Sequence, residues 1–306
     1  MYLQHFGLDE KPFSLTPDTQ FFFNRHSHRD ALNTMLLALR HTEGFLKIVG
    51  EVGTGKTLLC RKLLASLDES FITAYIPNPY LTPDELKWFV AEEIGVSFSK
   101  EMPSYKLLAE IYARLMALAA ERRQVVLVVD EAQAMPRETI EALRLLTNLE
   151  TEKRKLLQVV LIGQPELDDL LERPDLRQLK QRIVFAENLC AFARRDIEGY
   201  LQYRLVSAGH SGEPMFSRAA LTLLYQASGG IPRLMNILAH KAMLSAYGKG
   251  DQRITRSHMV AAVLDTAESR KLGSAMAKSE YWLWPLLGGL SALLATSVPH
   301  WMGVWS

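Results

Sequence analysis

The sequence has few cysteines and almost no net charge. Its 306 residues include two cysteines, and 35 basic residues stand against 34 acidic ones, which gives a formal net charge of +1. Cys60 and Cys190 lie far apart in apolar segments. Two buried thiols in a reducing compartment are therefore predicted, and a disulfide or metal site has little support. The charge balance gives no global electrostatic reason to expect a nucleic acid as a partner.

Several other signatures are also missing. The N-terminus lacks the basic start and apolar core of a secretory signal peptide, and no internal repeat is evident. The chain contains no Asn/Thr-Lys-x-Asp pattern for reading guanine, and no separate set of acceptor-substrate residues that would indicate a metabolic kinase. With 48% hydrophobic and 23% charged residues, the composition before the last stretch is that of an ordinary globular protein.

The most informative feature that is present is a phosphate-binding loop. Residues 50–57 read Gly-Glu-Val-Gly-Thr-Gly-Lys-Thr, which is the form G-x-x-x-x-G-K-[ST]. A short apolar strand is predicted before it at 45–49 and an amphipathic helix after it at 58–64, in the order that phosphate binding requires. Backbone N–H groups of such a loop and the helix N-terminus attract phosphate oxygens. The alternative is a Gly-rich turn that matches by chance.

The loop predicts the residues that bind nucleotide. They are Gly50, Glu51, Val52, Gly53, Thr54, Gly55, Lys56, Thr57 and Leu58. We expect the Lys56 ammonium to reach the β- and γ-phosphates and the Thr57 hydroxyl to hold Mg²⁺.

A second motif supplies two carboxylates. The apolar run that begins at Val125 predicts a strand buried on both faces, and it ends in Asp130 and Glu131. Asp130 is suited to hold Mg²⁺ through its water shell, and Glu131 to polarise the water that attacks the γ-phosphate. The alternative for Glu131 is an acidic N-cap of the following helix.

The order of the elements predicts an α/β fold. Strands predicted at 45–49, 71–76, 125–131, 156–163 and 183–186 alternate with helices, which indicates a five-stranded parallel sheet flanked by helices on both faces. Every element predicted after residue 194 is a helix, as expected for a lid over the nucleotide. We divide the chain into a nucleotide-binding domain (1–192), a C-terminal helical lid (193–268), a linker (269–280) and a membrane anchor (281–306).

The anchor is predicted from an apolar tail. Residues 281–306 carry a Leu-rich centre with tryptophans on both sides, and about 20 apolar residues are enough to span a bilayer. Arg270, Lys271 and Lys278 precede the tail. The positive-inside rule then places the N-terminal domain in the cytoplasm, with a single transmembrane helix after it. A buried hydrophobic hairpin or an amphipathic anchor is the alternative.

These segments together resemble the ExeA-type (general secretion pathway A) AAA+ P-loop NTPases over residues 1–266. The matching segments are residues 2–8, 12–18, 50–57, 129–133, 145–150, 161–167 and 179–183. Within that family the chain is most similar to members encoded with the mannose-sensitive haemagglutinin (MSHA, type IV) pilus machinery. The resemblance implies an ATP hydrolase at the bacterial inner membrane that helps to assemble a pilus or type II secretion apparatus. Some members carry a periplasmic peptidoglycan-binding domain; with its last residue at Ser306, this chain is expected to lack it.

The AAA+ resemblance also implies roles for three further residues. Gln164 would contact the γ-phosphate and the attacking water, with a turn-stabilising Gln before a proline as the alternative. Arg182 would be an arginine finger that completes a neighbouring subunit's site, and Arg177 is the alternate for this role. A solvated basic face without a catalytic role is the other interpretation of this segment. Arg233 would sense the γ-phosphate from the first turn of a lid helix, unless it is simply solvated. A finger of this kind implies a homo-oligomer, either a ring or a head-to-tail assembly.

Three functions are therefore open. The first is a Mg²⁺-dependent ATPase whose partners are inner-membrane pilus or secretion assembly proteins and the membrane, with nucleic acid not expected. The second is a DNA-associated AAA+ ATPase of the transposition-regulator type. The third is a nucleotide-gated scaffold with little turnover.

Overall fold

The computed structural model describes residues 2–24, 26–41, 44–151 and 155–269. These residues form two compact units. We call residues 14–192 together with 231–233 the sheet unit, and residues 2–13, 193–230 and 234–269 the helical unit. The predicted anchor at 281–306, and the predicted linker apart from its first residue, lie outside the described residues.

The sheet unit is built on five strands. They are β1 (Phe45–Gly50), β2 (Phe71–Ile76), β3 (Gln124–Val129), β4 (Leu157–Gly163) and β5 (Ile183–Leu189). Their order across the sheet is β2-β3-β4-β1-β5, and every neighbouring pair is parallel. The predicted five-stranded parallel sheet is confirmed. Since all strands run the same way, the ends of β1, β3 and β4 meet at one edge, which we call the carboxyl edge.

Twelve α-helices lie in the described part of the chain. They are α1 (Tyr2–His5), α2 (His26–Arg40), α3 (Lys56–Ser66), α4 (Pro83–Glu93), α5 (Ser104–Ala120), α6 (Arg137–Leu146), α7 (Glu166–Leu171), α8 (Arg177–Lys180), α9 (Ile197–Ser207), α10 (Arg218–Ser228), α11 (Pro232–Lys249) and α12 (Arg256–Leu264). Helix α4 begins at Pro83, because Thr82 and Glu85 form a capping box that places Pro83 at the first helical position.

Helices cover both faces of the sheet, as predicted. Successive strand residues point to opposite faces, and β3 shows this directly. Val126 and Val128 belong to a core shared with α2 and α3, whereas Leu127 and Val129 belong to a core shared with α4, α5 and α6. All four side chains are fully buried. The continuous apolar run in the sequence is thus explained by burial on both faces.

The helical unit contains α1, α9, α10, α12 and most of α11. The buried Arg204 of α9 donates to the carbonyl oxygen of Pro12, and the Tyr200 hydroxyl donates to Asn236 Oδ1 at 2.8 Å. The first contact ties the N-terminal residues to α9, and the second ties α9 to α11. Residues 2–13 therefore group with the helical unit, although the boundary drawn from the sequence placed them in the nucleotide-binding domain.

Some elements differ from the sequence-based expectation. Strand β3 stops at Val129, because the chain turns and Glu131 adopts a left-handed backbone with φ 51° and ψ 37°. Strand β5 continues past Ala186 to Leu189. It is an edge strand with alternating burial, so polar residues follow its apolar start.

The prediction that both thiols are buried is wrong for one of them. Cys60 is buried in α3, but Cys190 is exposed because it directly follows the edge strand β5. Burial raises the pKa of the Cys60 thiol to about 12. No helix within residues 2–24, 26–41, 44–151 and 155–269 is long and apolar enough to cross a membrane.

Candidate nucleotide-binding site

The phosphate-binding loop connects β1 to α3 at the carboxyl edge. Gly53 and Gly55 adopt φ angles of 81° and 98°, which only glycine adopts without strain, and Gly55 directly precedes the first residue of α3. Glu51 and Val52 are exposed at the tip of the loop, whereas Thr54 is buried and its hydroxyl donates to the Glu51 carbonyl at 2.8 Å. The strand, loop and helix expected from the motif are all present.

Lys56 lies folded back over this loop. Its ammonium donates to the carbonyl oxygens of Gly50 at 2.7 Å and Glu51 at 3.0 Å. Burial lowers the pKa of Lys56, and the nearby carboxylates, Glu131 and Asp130 first among them, oppose that shift. The same donors can turn to phosphate oxygens, which would replace the two carbonyls as acceptors.

The predicted metal ligands, Thr57 and Asp130, are brought together. The Thr57 hydroxyl donates to Asp130 Oδ2 at 3.0 Å. Asp130 is only 3% exposed and also accepts from the Tyr75 hydroxyl at 3.3 Å and from the Glu131 N–H at 2.9 Å. Hydroxyl and carboxylate oxygens are the donors that Mg²⁺ prefers, so these residues fit such an ion. Tyr75 was not predicted, because an isolated Tyr within a strand pattern carries no local signal.

Glu131 and Gln164 also meet at this edge. The Gln164 amide donates to Glu131 Oε2 at 2.9 Å, and Gln133 donates to the same oxygen at 2.7 Å. The side-chain oxygen Oε1 of Gln133 accepts from the backbone N–H of Gln164 at 3.1 Å. Burial by itself would raise the pKa of Glu131. The two amide donors and the Lys56 charge together outweigh burial, so the pKa of Glu131 lies below its usual range. Glu131 is therefore an ionised acceptor at neutral pH.

Two further contacts hold the loop from outside. The backbone N–H of Arg233 donates to the carbonyl of Gly53 at 3.1 Å, while the Arg233 side chain is exposed. The buried His28 of α2 places Nε2 at 2.7 Å from the carbonyl oxygen of Thr54. Arg233 was predicted to lie at the nucleotide, and the structure places its backbone against the loop. His28 was missed, since nothing in the local pattern separates it from other polar residues of its helix.

Arg182 is not brought to this edge. It directly precedes β5, beside the start of β1, where Phe45 pairs with Ile183. The loop follows the other end of β1, about 17 Å away for a six-residue strand. Arg182 donates to the Thr147 hydroxyl at 3.3 Å and lines a cavity of about 270 Å³. The alternate, Arg177, is exposed.

Leu58 lies in the first turn of α3 and is half-buried.

Comparison with known proteins supports the fold. Residues 39–171 match the AAA domain model. The chain is 39% identical over 302 residues to General secretion pathway protein A of Aeromonas hydrophila. The matched region covers 98% of this chain and 54% of that protein. The chain thus spans about half the length of the curated relative that it matches.

Solved structures show the same architecture. The Aeropyrum pernix ORC2 protein, in ADPNP–ADP complexes, is 19% identical with a TM-score of 0.61, covering 84% of this chain and 72% of that one. The ORC1 protein of the same organism, in complex with DNA, is 20% identical with a TM-score of 0.58, covering 83% and 68%. At these identities the similarity shows the fold alone. Residues 39–171 therefore belong to a P-loop NTPase fold of the AAA type.

The shared hydrogen-bonding of Glu131 generates a first prediction. In Gln133→Glu, a second carboxylate would face Glu131 at hydrogen-bond distance, and the two charges would repel. We expect its melting temperature at about pH 8 to be lower than the wild-type value by about 2–6 °C. The deficit should shrink at about pH 5.5, because the pair then shares a proton whose pKa is raised in the folded state.

Thermal unfolding of the nucleotide-free chain at both pH values measures this. Gln133→Leu is the matched control: it removes the amide without adding charge, so its deficit should change less between the two pH values than the deficit of Gln133→Glu. A Gln133→Glu deficit that is the same at both pH values would contradict the geometry at Glu131.

Proposed function

We propose that this protein is a Mg²⁺-dependent ATPase that couples ATP binding and hydrolysis to the assembly of a type IV pilus of the MSHA kind or a type II secretion apparatus at the bacterial inner membrane. The ATPase part rests on one observation: the loop of residues 50–57, Asp130 and the Glu131–Gln164 pair lie together at the carboxyl edge. The assembly part is supported by the 39% identity to General secretion pathway protein A.

The residues at this edge have complementary tasks. The loop N–H groups and Lys56 bind the phosphates of ATP, and Thr57 and Asp130 would hold the Mg²⁺. When bound, that ion would neutralise charge on the β- and γ-phosphate oxygens. Glu131, kept ionised by its amide donors, accepts a proton from the attacking water as the bond between the γ-phosphorus and the ADP oxygen breaks. Gln164 lies close enough to Glu131 to orient the same water.

Glu131→Gln is the most direct test of the ATPase chemistry. The amide cannot accept the proton, so we expect kcat to fall by about 100-fold or more. ATP affinity should stay within about threefold, since Glu131 is placed to act on water rather than to bind phosphate. Steady-state turnover and ATP titration measure the two quantities.

Glu121→Gln is the matched control. Glu121 lies between α5 and the start of β3, at the edge of the sheet opposite to the loop, where it pairs with Arg114, and its loss should leave turnover unchanged. A wild-type rate in Glu131→Gln would contradict the assignment of the base. Tight ATP binding by the wild-type chain with negligible turnover would instead favour the nucleotide-gated scaffold.

We further propose that the active form is a homo-oligomer in which Arg182 acts on a neighbour's nucleotide. The proposal is supported by the position of Arg182 at the edge of the sheet opposite to its own loop, where it lines a cavity of about 270 Å³. A guanidinium supplied to another subunit stabilises charge on the transferring phosphoryl group. Such head-to-tail contacts close into a ring or extend as a filament.

Mixing two inactive variants tests this arrangement. Turnover per protomer should rise with protein concentration in the wild type and fall by about 10³-fold in Arg182→Ala. Lys56→Ala lacks a working site but keeps Arg182, so mixing it with Arg182→Ala should restore measurable turnover. Arg177→Ala serves as the control from the same segment. Flat, Arg182-independent turnover would mean that each protomer works alone, and loss in Arg177→Ala only would move the finger to that residue.

The membrane location belongs to the same proposal. The apolar tail at 281–306, preceded by Arg270, Lys271 and Lys278, supports a single-pass anchor with the ATPase domain in the cytoplasm.

The balanced charge of +1 supports protein partners in the envelope over duplex DNA. The ORC1 protein, which has a similar fold, is described in complex with DNA.

Fractionation of bacterial cells tests the anchor. We expect the full chain to stay with membranes after alkaline carbonate extraction, and a chain ending at residue 280 to be released. Release of both would contradict the anchor. Salt-sensitive retention of the shorter chain on duplex DNA would favour the DNA-associated alternative.

A further inference from the structure

His28 makes a contact that the nucleotide chemistry described above does not use. It lies near the start of α2 and is 5% exposed, and its Nε2 is 2.7 Å from the carbonyl oxygen of Thr54. A carbonyl oxygen only accepts hydrogen bonds, so Nε2 carries the proton and His28 is the donor. The acceptor is the fifth residue of the phosphate-binding loop.

The direction of this hydrogen bond fixes the orientation of one backbone N–H donor of the loop, that of Gly55. In a planar trans peptide, the carbonyl of one residue and the N–H of the next point in opposite directions. A Thr54 carbonyl that is directed at His28 therefore directs the N–H of Gly55 away from α2. N–H groups that converge inside such a loop bind phosphate oxygens. Rotation of this peptide would remove one of these donors.

The imidazole and the loop fit closely together. A Cβ at Gly55 would lie 3.2 Å from Nε2 of His28, and the left-handed backbone of Gly55 already excludes other residues from this position. The rings of Phe22 and Phe192 pack against His28, with centroids 6.3 and 5.3 Å away. In this apolar environment water competes poorly for the Thr54 carbonyl, so the hydrogen bond is strengthened.

We propose that His28 is a positioning residue that holds the Thr54–Gly55 peptide in the orientation in which the Gly55 N–H binds the β-phosphate of a nucleotide. The inference rests on the proposed ATP binding and adds a determinant of nucleotide affinity that lies outside the loop. His28 does not touch the nucleotide; it acts through the peptide.

A pair of substitutions separates this role from simple packing. Gln can place an amide N–H near the position of Nε2, whereas Leu fills similar space without a donor. We expect His28→Leu to weaken ADP and ATP binding by about tenfold each, which corresponds to about 1.4 kcal/mol. His28→Gln should stay within about threefold of the wild type. At saturating ATP, kcat should change by less than about threefold in both, because the peptide is not part of the proton transfer.

Calorimetric titration of the full-length chain with ADP, together with steady-state kinetics, measures these values. His258→Leu is the matched control, since His258 is also buried but lies in α12 of the helical unit. It should lower the melting temperature without changing ADP affinity. If His28→Leu does not fold, His28→Asn replaces it, because that amide is one methylene shorter and cannot reach the carbonyl; it should then bind ADP about tenfold more weakly than His28→Gln.

The outcomes are distinct. Unchanged ADP affinity in His28→Leu, or equal losses in the Gln variant and the donor-free variant, would overturn the positioning role while leaving the ATPase proposal intact. A wild-type chain that binds neither ADP nor ATP would overturn both.

Discussion

The buried Asp130 carboxylate is the constraint on which the nucleotide site depends. It is 3% exposed, and an ionised carboxylate in such a place is stable only when neighbouring groups donate to it. The donors come from three places: the Thr57 hydroxyl in α3, the Tyr75 hydroxyl in β2 and the N–H of Glu131 after β3. Three separate elements must therefore meet around one side chain. The pairing of Ile76 with Val129 sets the register that makes the Tyr75 contact possible.

The same carboxylate helps to explain the conformation of the next residue. Because Asp130 Oδ1 accepts from the N–H of Glu131, the chain turns at once after β3, and Glu131 adopts a left-handed backbone. A non-glycine residue in that region is disfavoured, and surrounding contacts must compensate for it. Here the compensation is the pair of amides on Glu131 Oε2. The conformation that ends the strand also presents the carboxylate to Gln133 and Gln164.

Much of this site could be predicted because its signals are local. The loop of residues 50–57 and the apolar run that ends in Asp130 are short patterns whose chemistry depends on spacing along the chain. His28, Tyr75 and Gln133 could not be found in the same way. His28 reaches a carbonyl 26 residues away, and Tyr75 a carboxylate 55 residues away. Such contacts depend on which strands and helices become neighbours, which no window of sequence contains.

The limits of the fold prediction have the same origin. The parallel sheet follows from the alternation of strands and helices, but strand ends depend on partners. Strand β5 gains three residues beyond its apolar start because it pairs with β1 as far as Gly50 and Leu189. Since β5 has a neighbour on one side only, polar residues are tolerated on it and Cys190 after it is exposed. Hydrophobicity alone predicts a buried strand more reliably than an edge.

The position of Arg182 completes the argument about what one chain can do. In a parallel sheet, the residue before a strand and the loop after its neighbour lie at opposite edges, about 17 Å apart for six residues. An arginine side chain extends about 7 Å from its Cα, so Arg182 cannot reach a phosphate held by its own loop without unpairing β5 from β1. The β1–β5 pairing runs over six residues of β1. It ends next to the loop, where Gly50 pairs with the buried Leu189. Any contact between Arg182 and a nucleotide therefore requires a second chain.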